Sequence, residues 1–361
     1  MNSNNKTQLL GKNQPEIEDY LVSLGESRFR GRQIHKWIYK KQCSSFFEMS
    51  DLPKELRQML DDQAKISIPR VLKQRVSGDG SRKFLLELDD KKRIEAVLIP
   101  HSGEKDSKYT ICLSTQVGCP LGCSFCATGL SGFQRNLDAY EIAGQLLGSQ
   151  RELAKRLKLP DSSNLISNVV YMGMGEPMLN YDEMIESIHI LNDPQGINMG
   201  QRNITISTAG EVKGIDRLAQ ENLQITLAIS LHACDNELRS RLIPLNRKYP
   251  LEKLIPAVKN YIAQTHRRVT FEYIMLDNVN LNKKDAQNMV QLLKSLLANV
   301  NLIPYNEVEE LEFKRPSLQK IKQFCNWLVQ AGLNVSIREE RGADINAACG
   351  QLSLEQQKRK S

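Results

Sequence analysis

Six short apolar segments, each followed by a segment with helical periodicity, occupy residues 109–340 of this 361-residue chain. The apolar segments predict buried β-strands at residues 110–113, 168–172, 203–207, 225–230, 269–275 and 300–303. The predicted helices are residues 139–157, 181–191, 212–219, 251–264, 284–298 and 317–332. Because strand–helix units in series wind into parallel sheets, the pattern predicts an α/β fold, an incomplete (β/α)6 barrel. Such barrels build their active sites at the carboxyl ends of the strands.

The segments on either side of the predicted barrel have different patterns. Residues 1–64 predict a helical accessory domain, with helices at 16–24, 31–41 and 53–63, the last capped by Asp51. Residues 65–108 alternate between apolar and polar, which predicts a short β extension that ends in a polar loop after Pro100. The barrel would then span 109–340, with a last strand at 334–338. Residues 341–361 form a tail rich in small residues.

The composition is that of a globular chain. No apolar run approaches eighteen residues, and the polar first residues lack the apolar stretch of a signal peptide, so we expect no membrane association. Eight cysteines are too sparse for a disulfide framework in a chain of this length. We therefore expect a cytoplasmic protein whose thiols are available for metal binding or catalysis. The net charge of +7 is compatible with a polyanionic partner.

A basic segment near the N-terminus has two interpretations. Residues 28–41 carry six lysines and arginines, interleaved with Phe29, Trp37 and Tyr39. Cations for phosphates beside rings for stacking are what an RNA-binding surface needs. The same spacing also fits an amphipathic helix that buries Ile34, Trp37 and Ile38 and leaves its cations in water. The segment alone does not choose between them.

Three cysteines follow the first barrel strand closely. Cys119, Cys123 and Cys126 have the C-x-x-x-C-x-x-C spacing that holds an iron–sulfur cubane and leaves one iron without a protein ligand. The alternative is zinc, whose structural sites take four ligands, usually as two separated pairs. Only His232 and Cys234 form a nearby candidate pair. The spacing therefore favours a cluster that can bind a substrate or cofactor at its open iron.

This cysteine run resembles that of the radical-SAM superfamily. The resemblance implies a [4Fe-4S] cluster whose open iron binds S-adenosylmethionine (SAM) and whose electron cleaves SAM to a 5′-deoxyadenosyl radical. Residues 172–177 resemble the glycine–glutamate–proline motif of the superfamily, which contacts the SAM amino group. By the same resemblance, the SAM contacts lie at the ends of neighbouring strands: Gly175, Glu176, Ser207, Ser230, Leu231, His232 and Asn306.

Two further cysteines stand apart from the cluster motif. Cys112 lies on the first barrel strand, and Cys349 lies among small residues in the tail. Buried structural cysteines normally occupy apolar periodic segments, as Cys325 does, whereas Cys349 does not. We expect the tail to be mobile, so that it can bring Cys349 into a site as a nucleophile.

Nearly the whole chain resembles the RlmN-type adenine C2-methyltransferases of 23S rRNA and some tRNAs. The likeness is carried by residues 112–119, 132–137, 173–177, 230–232, 303–306 and 341–352, with departures at Ala343 and Asn346. It implies that two SAM molecules are used and that Cys349 is methylated first. It also implies that Glu95 acts as the base and that Cys112 resolves a protein–RNA adduct by forming a disulfide. An external electron donor and a thiol reductant would complete the cycle.

The remaining expectations concern RNA and alternative functions. The helical domain and the cations Arg239, Arg241, Arg247 and Lys248 would hold 23S rRNA or tRNA, with the target base unstacked. We expect the protein to act as a monomer. Methylation of the adenine C8 carbon, as in antibiotic-resistance relatives, is the nearest alternative. A zinc-stabilised RNA-binding protein without catalysis is a second one.

Overall fold

A computed structural model gives the arrangement of residues 6–101, 108–160 and 163–352. Its strands are β1 (Thr7–Gln8), β2 (Ala64–Lys65), β3 (Arg70–Val76), β4 (Arg82–Glu87), β5 (Arg93–Pro100), β6 (Tyr109–Cys112), β7 (Gln116–Gly118), β8 (Phe133–Asn136), β9 (Ile166–Tyr171), β10 (Ile204–Thr208), β11 (Thr226–Ser230), β12 (Val269–Met275), β13 (Ala298–Pro304) and β14 (Val335–Ile337). Its helices are α1 (Gln14–Ser23), α2 (Arg28–Tyr39), α3 (Lys54–Gln63), α4 (Ala127–Leu130), α5 (Ala139–Leu157), α6 (Tyr181–Asn192), α7 (Val212–Leu218), α8 (Asn236–Leu242), α9 (Leu251–Thr265), α10 (Lys283–Leu293) and α11 (Leu318–Gln330). Among these residues, no helix has both the length and the apolar character needed to cross a bilayer.

One sheet organises the described part of the chain, with ten strands in the order β14-β13-β12-β11-β10-β9-β6-β5-β4-β3. The strands from β6 to β14 in that order are parallel neighbours, which confirms the predicted incomplete barrel. Strands β5, β4 and β3 continue the same sheet beyond β6 with antiparallel pairing. The β extension is therefore physically continuous with the barrel, and the predicted domain limits stay a prediction.

Local sequence signals explain where the barrel elements begin. The N-cap of α5 is Asp138, and the Glu141 carboxylate accepts the Asp138 N–H at 3.0 Å, completing a reciprocal capping box. In β12, every residue except Thr270 is buried, as expected for a strand covered on both faces. These signals lie within single segments, which is why the predicted bounds of both elements agree with the structure.

Two local predictions were wrong. The helix predicted at 284–298 ends at Leu293, because the chain from Ala298 onward pairs with β12 as strand β13. Asp51 does not cap α3, which begins at Lys54 after Pro53; its carboxylate instead accepts a hydrogen bond from the Trp37 indole. Two predicted regions are described only in part. Residues 102–107 of the polar loop after Pro100 and residues 353–361 of the tail lie outside the described residues.

The N-terminal helices form a small core that joins the barrel. Helices α1 and α2 cross at Gly31, where an added Cβ would lie 2.5 Å from the Cα of Glu18. On the barrel side of α2, the buried His35 ring contacts the Asp193 carboxylate at 2.9 Å. The helical domain is thus fixed to the barrel next to the end of α6.

Helix α2 combines the two interpretations of the basic segment. Ile34 and Ile38 are fully buried, as the amphipathic interpretation requires. Tyr39 is buried too, and its hydroxyl donates to the Lys12 carbonyl, so this ring is not available for base stacking. Phe29 is 55% exposed. The exposed side of α2 therefore carries the Phe29 ring and several cations, and both interpretations of the segment fit this helix.

Candidate active site

The three cysteines of the motif lie together in the loop between β7 and α4. Burial raises the pKa of the Cys119 thiol to about 12, and burial together with the nearby Cys126 and Cys119 raises the pKa of Cys123 well above its ordinary value. Buried thiols that crowd one another in this way are stabilised as thiolates by binding iron. The donor set, three thiols and no fourth cysteine in the loop, fits a cubane with one open iron.

The arrangement does not match a site for a single metal ion. Among residues 6–101, 108–160 and 163–352, no three His, Cys, Asp or Glu side chains converge as ligands of one ion. A cubane makes a different demand, because each thiolate binds its own iron. Of the alternative zinc pair, Cys234 lies beside Asp285 and Asp235, and the His232 ring accepts a hydrogen bond from the backbone. The geometry favours the cluster.

The loop after β9 lies against the cysteine loop. Glu176 is buried, and burial raises the pKa of its carboxyl to about 7. Its two oxygens accept the N–H groups of Ala209 at 2.8 Å and Met178 at 3.1 Å. Gly175 has φ +103°, and a Cβ there would lie 2.6 Å from the Cβ of Gln116, so the turn requires glycine. Glu176 is also close enough for its charge to raise the pKa of Cys119 and Cys123.

The segment after β11 makes a sharp turn at His232, whose φ is +59°. Its ring packs edge-on against the Phe125 ring, with 4.8 Å between ring centroids. Phe125 lies between Cys123 and Cys126 in the sequence. Burial lowers the pKa of His232 to about 3, so the ring is neutral. Because Nδ1 accepts the Ile274 N–H at 3.1 Å, the ring proton lies on Nε2. This turn brings Ser230, Leu231 and His232 to the cysteine loop.

Arg239 was wrongly predicted to bind RNA. Its side chain is fully buried, and the guanidinium donates to the carbonyls of Ser230 at 2.9 Å, Leu231 at 3.0 Å and Ala209 at 2.8 Å. It therefore fixes the chain after β10 and β11, where the expected SAM residues lie. Sequence gave no signal of this burial, because an arginine in a polar helix is usually exposed. The other three predicted cations are exposed: Arg241, Arg247 and Lys248.

Two polar residues of the expected SAM site lie on β10 and after β13. Ser207 is half-buried near the end of β10, opposite Ala228 of β11. Asn306 is buried, and its amide donates to the Cys349 carbonyl at 3.4 Å. The side-chain oxygen of Asn306, Oδ1, is buried and has no hydrogen-bond partner among the described residues. A buried acceptor left without a donor suits a residue that contacts a bound ligand.

Both additional cysteines line one cavity of about 160 Å³. Cys112 enters from β6, and Cys349 enters from the tail, together with Cys126 of the cysteine loop and Asn306. Arg338, which sequence reasoning missed, lines the same cavity, and Cys349 raises the pKa of its guanidinium. Burial raises the pKa of Cys112 to about 12. Residues far apart in sequence are thus gathered around a single small space.

The described part of the tail is docked, contrary to the expected mobile segment. The Ala127 N–H donates to the Gly350 carbonyl at 2.8 Å, and the Thr128 hydroxyl donates to the Leu352 carbonyl at 2.7 Å. The Gln351 amide donates to the Glu307 carbonyl at 3.0 Å. These bonds hold Cys349 against the start of α4, directly after Cys126.

Glu95, the base implied by the family resemblance, lies on β5. It is only 4% exposed, and its carboxylate contacts the Lys83 ammonium at 3.0 Å. The Ser114 hydroxyl donates to the Glu95 carbonyl at 2.6 Å, which ties β5 to the chain after Cys112. Glu95 therefore lies one strand away from Cys112, in a buried polar pair.

Comparisons with known proteins agree with this geometry. Residues 7–66 match the model of the ribosomal RNA large subunit methyltransferase N-terminal domain, and residues 113–293 match that of the radical SAM superfamily. The chain is 70% identical to a probable dual-specificity RNA methyltransferase RlmN from Syntrophomonas wolfei, over 98% of both chains. It is 44% identical to a dual-specificity RNA methyltransferase RlmN from Halorhodospira halophila, over 96% of this chain and 93% of the relative. The crystal structure of a radical SAM methyltransferase from Sphaerobacter thermophilus superposes with a TM-score of 0.89 at 41% identity, covering 96% of this chain and 99% of that one. The chain therefore belongs to the RlmN family of radical SAM RNA methyltransferases, which use a [4Fe-4S] cluster and SAM.

Proposed function

We propose that the protein methylates the C2 carbon of adenine 2503 in 23S rRNA and of adenine 37 in certain tRNAs, through a methylated Cys349. The observation that carries this proposal is the cavity that Cys112 and Cys349 share with Cys126. A methyl-accepting thiol needs to lie near the radical source, and a resolving thiol needs to lie near the acceptor. The cavity supports both requirements.

The chemistry of the target explains why a radical is needed. Most methyl transfers from SAM rely on a nucleophile that attacks the sulfonium methyl carbon. The C2 carbon of adenine lies between two ring nitrogens and is electron-poor, so it is not such a nucleophile. A carbon-centred radical, in contrast, adds to an electron-poor carbon.

In the first half of the proposed cycle, the Cys349 sulfur attacks the methyl carbon of one SAM. The methyl–sulfonium bond breaks, a methyl–Cys349 bond forms, and S-adenosylhomocysteine leaves. The thiol proton is lost before or during this attack. The Arg338 guanidinium lines the same cavity as Cys349.

In the second half, Cys349 becomes the carrier of a carbon radical. Cys119, Cys123 and Cys126 would hold a [4Fe-4S] cluster, which would supply the electron needed to cleave a second SAM to methionine and a 5′-deoxyadenosyl radical. The S-methyl group of Cys349 gives one hydrogen atom to that radical, and the methylene radical that remains bonds to C2. Protein and RNA are then joined covalently through Cys349.

Release of the RNA requires a base and a second thiol. Glu95 takes the proton from C2, and the Cys112 sulfur attacks the sulfur of Cys349. The carbon–sulfur bond breaks, the released carbon is protonated to a methyl group, and a disulfide forms between Cys112 and Cys349. Together these steps release one electron, which balances the electron consumed when SAM is cleaved. A thiol reductant then restores both cysteines, which fits action in the reducing cytoplasm.

The exposed cations support RNA as the substrate. Arg241, Arg247 and Lys248 lie on the surface near the end of α8, and α2 presents Phe29 with exposed cations around it. Phosphate contacts of this kind orient an RNA without reading its sequence. The target base has to be unstacked to reach a cavity of this size, so an accessible loop is the expected substrate. We propose that a single protein chain acts on each RNA.

One assay tests the proposed function. Full-length protein, reconstituted with iron and sulfide without oxygen, is incubated with SAM, a reductant and either 23S rRNA or tRNA, and nucleosides are analysed by mass spectrometry. We expect 2-methyladenosine and 5′-deoxyadenosine from the wild type. Cys325→Ala is the matched control, because this half-buried thiol on α11 lies outside the cavity and its loss should preserve the product. Formation of 8-methyladenosine would establish the C8 alternative, and a colourless protein that consumes no SAM would contradict catalysis.

A further inference from the structure

Strands β4, β5 and β6 bring a lysine, a carboxylate and a thiol to one face of the sheet. Lys83 pairs with Val97 across β4 and β5, and Val97 pairs with Cys112 across β5 and β6. Directly paired residues point to the same face, and Glu95 shares that face with Val97 two residues away. Neighbouring strands are about 4.8 Å apart, so Lys83 and Cys112 stand roughly 10 Å apart with Glu95 on the strand between them.

Lys83 makes two contacts that join separate parts of the proposed machinery. Its ammonium lies 3.0 Å from the Glu95 carboxylate and donates to the Asn346 carbonyl, also at 3.0 Å. Lys83 is 5% exposed and Glu95 is 4% exposed, so the pair is shielded from water. Asn346 lies three residues before Cys349. One buried cation thus links the candidate base to the segment that carries the methyl-accepting thiol.

The turn of the β3–β4 hairpin, the hairpin that carries Lys83, also forms hydrogen bonds with the tail. The Asp344 carboxylate accepts the Ser77 hydroxyl at 2.5 Å and the Gly78 N–H at 3.1 Å. The Asp79 carboxylate accepts the Gly342 N–H at 2.9 Å. These contacts place the β3–β4 hairpin and the tail in one docked unit. Lys83, which donates to the Asn346 carbonyl in this unit, also contacts the Glu95 carboxylate.

We infer that Lys83 is a positioning residue that holds the Glu95 carboxylate beside the tail for removal of the C2 proton. The inference rests on the proposed function, in which Glu95 is the base. A neighbouring ammonium favours the ionised carboxylate, which is the form able to accept a proton. Lys83 therefore acts at resolution of the protein–RNA adduct, after Cys349 has been methylated and SAM has been cleaved.

The test separates the early steps from the late one in the full-length, reconstituted enzyme. Lys83→Met should still form S-methyl Cys349, seen by intact-protein mass spectrometry, and should still produce 5′-deoxyadenosine. Resolution of the adduct should slow about 10–100-fold, the usual cost of losing a residue that orients a reacting group. A protein–RNA band should then accumulate on a denaturing gel. Lys83→Arg keeps the charge and should restore part of the resolution rate.

The control is Lys91→Met, in the turn that joins β4 to β5. Lys91 contacts Glu87 at 3.5 Å, but its side chain is 78% exposed, so every step should keep its wild-type rate. Resolution at the wild-type rate in Lys83→Met would overturn the inference, as would an equal loss of Cys349 methylation and resolution. If Lys83→Met does not fold, Lys83→Arg carries the test, because a displaced charge should slow resolution more than methylation; equal effects would overturn the inference. A wild type that never forms S-methyl Cys349 would remove the proposed function as well.

Discussion

The cysteine loop and the tail, which carry the thiols of the two proposed halves of the reaction, are built differently. The cysteine loop is closed by short-range backbone bonds, such as Cys126 N–H to the Cys123 carbonyl at 3.2 Å and Cys119 N–H to the Gly132 carbonyl at 3.0 Å. Several bonds of the tail reach residues more than two hundred positions away, among them Lys83 and Ala127. A short motif therefore specifies the cluster site, whereas the thiol site exists only once the whole chain has folded.

The largest expected effect comes from removing the tail thiol. Cys349→Ala should abolish RNA methylation, because residues 341–361 contain no other sulfur that could accept the methyl group. The cysteine loop does not depend on this thiol, so iron content and the cleavage of SAM should persist. Counting methylated nucleosides and 5′-deoxyadenosine in the same reaction checks both halves. Retained methylation would take Cys349 out of the mechanism.

Removing the partner thiol should stop the cycle at a later point. Cys112→Ala leaves Cys349 free to accept a methyl group and to bond to RNA, but nothing can then displace the adduct. A denaturing gel should show protein that migrates with covalently attached RNA. Cys43→Ala is a suitable control, because Cys43 is buried in the helical domain away from the cavity. The absence of a shifted band in Cys112→Ala would argue against a resolving role.

A third substitution should destabilise the chain after β10 and β11, where the expected SAM residues lie. Arg239→Met removes the guanidinium donor from the buried carbonyls of Leu231 and Ala209 and from the partly buried carbonyl of Ser230. Each buried group left without a donor costs about 1–3 kcal/mol, so the free energy of unfolding should fall by at least about 2 kcal/mol. Urea denaturation measures the change. Arg241→Met, on the exposed side of α8, should change stability by less than about 0.5 kcal/mol, and equal effects would contradict the role given to Arg239.

The smallest expected effect concerns the hydrogen bonds between the β3–β4 hairpin and the tail. Asp344→Ala removes the bonds to Ser77 and Gly78 but touches neither the cavity nor the cysteine loop. Methylation of Cys349 should slow about two- to tenfold, as expected for the loss of one or two partly exposed hydrogen bonds. Iron content should not change. Asp62→Ala on α3 provides an exposed control, and a matching decrease there would show that the effect is not specific to the tail.

The same contrast explains what could be predicted from the sequence. The order of strands and helices and the cysteine loop follow from periodicity and spacing within single segments, so both were predictable. The burial of Lys83, Glu95 and Arg239 was not, because charged residues in alternating or helical segments are usually exposed. Their burial depends on strands and loops that pack against them from elsewhere in the chain. Docking of the described tail was missed for the same reason, since its partners lie in distant segments of the chain, around Lys83, Ala127 and Glu307.

The most direct test of the central claim follows the hydrogens of the transferred methyl group. The enzyme is supplied with SAM that carries a fully deuterated methyl group, and the methyladenosine is analysed by mass spectrometry. Because Cys349 would give one of those hydrogens to the 5′-deoxyadenosyl radical, the account predicts two deuterium atoms in the product methyl and one in 5′-deoxyadenosine. A product methyl with all three deuterium atoms would contradict the account, because it would mean direct transfer from SAM to RNA.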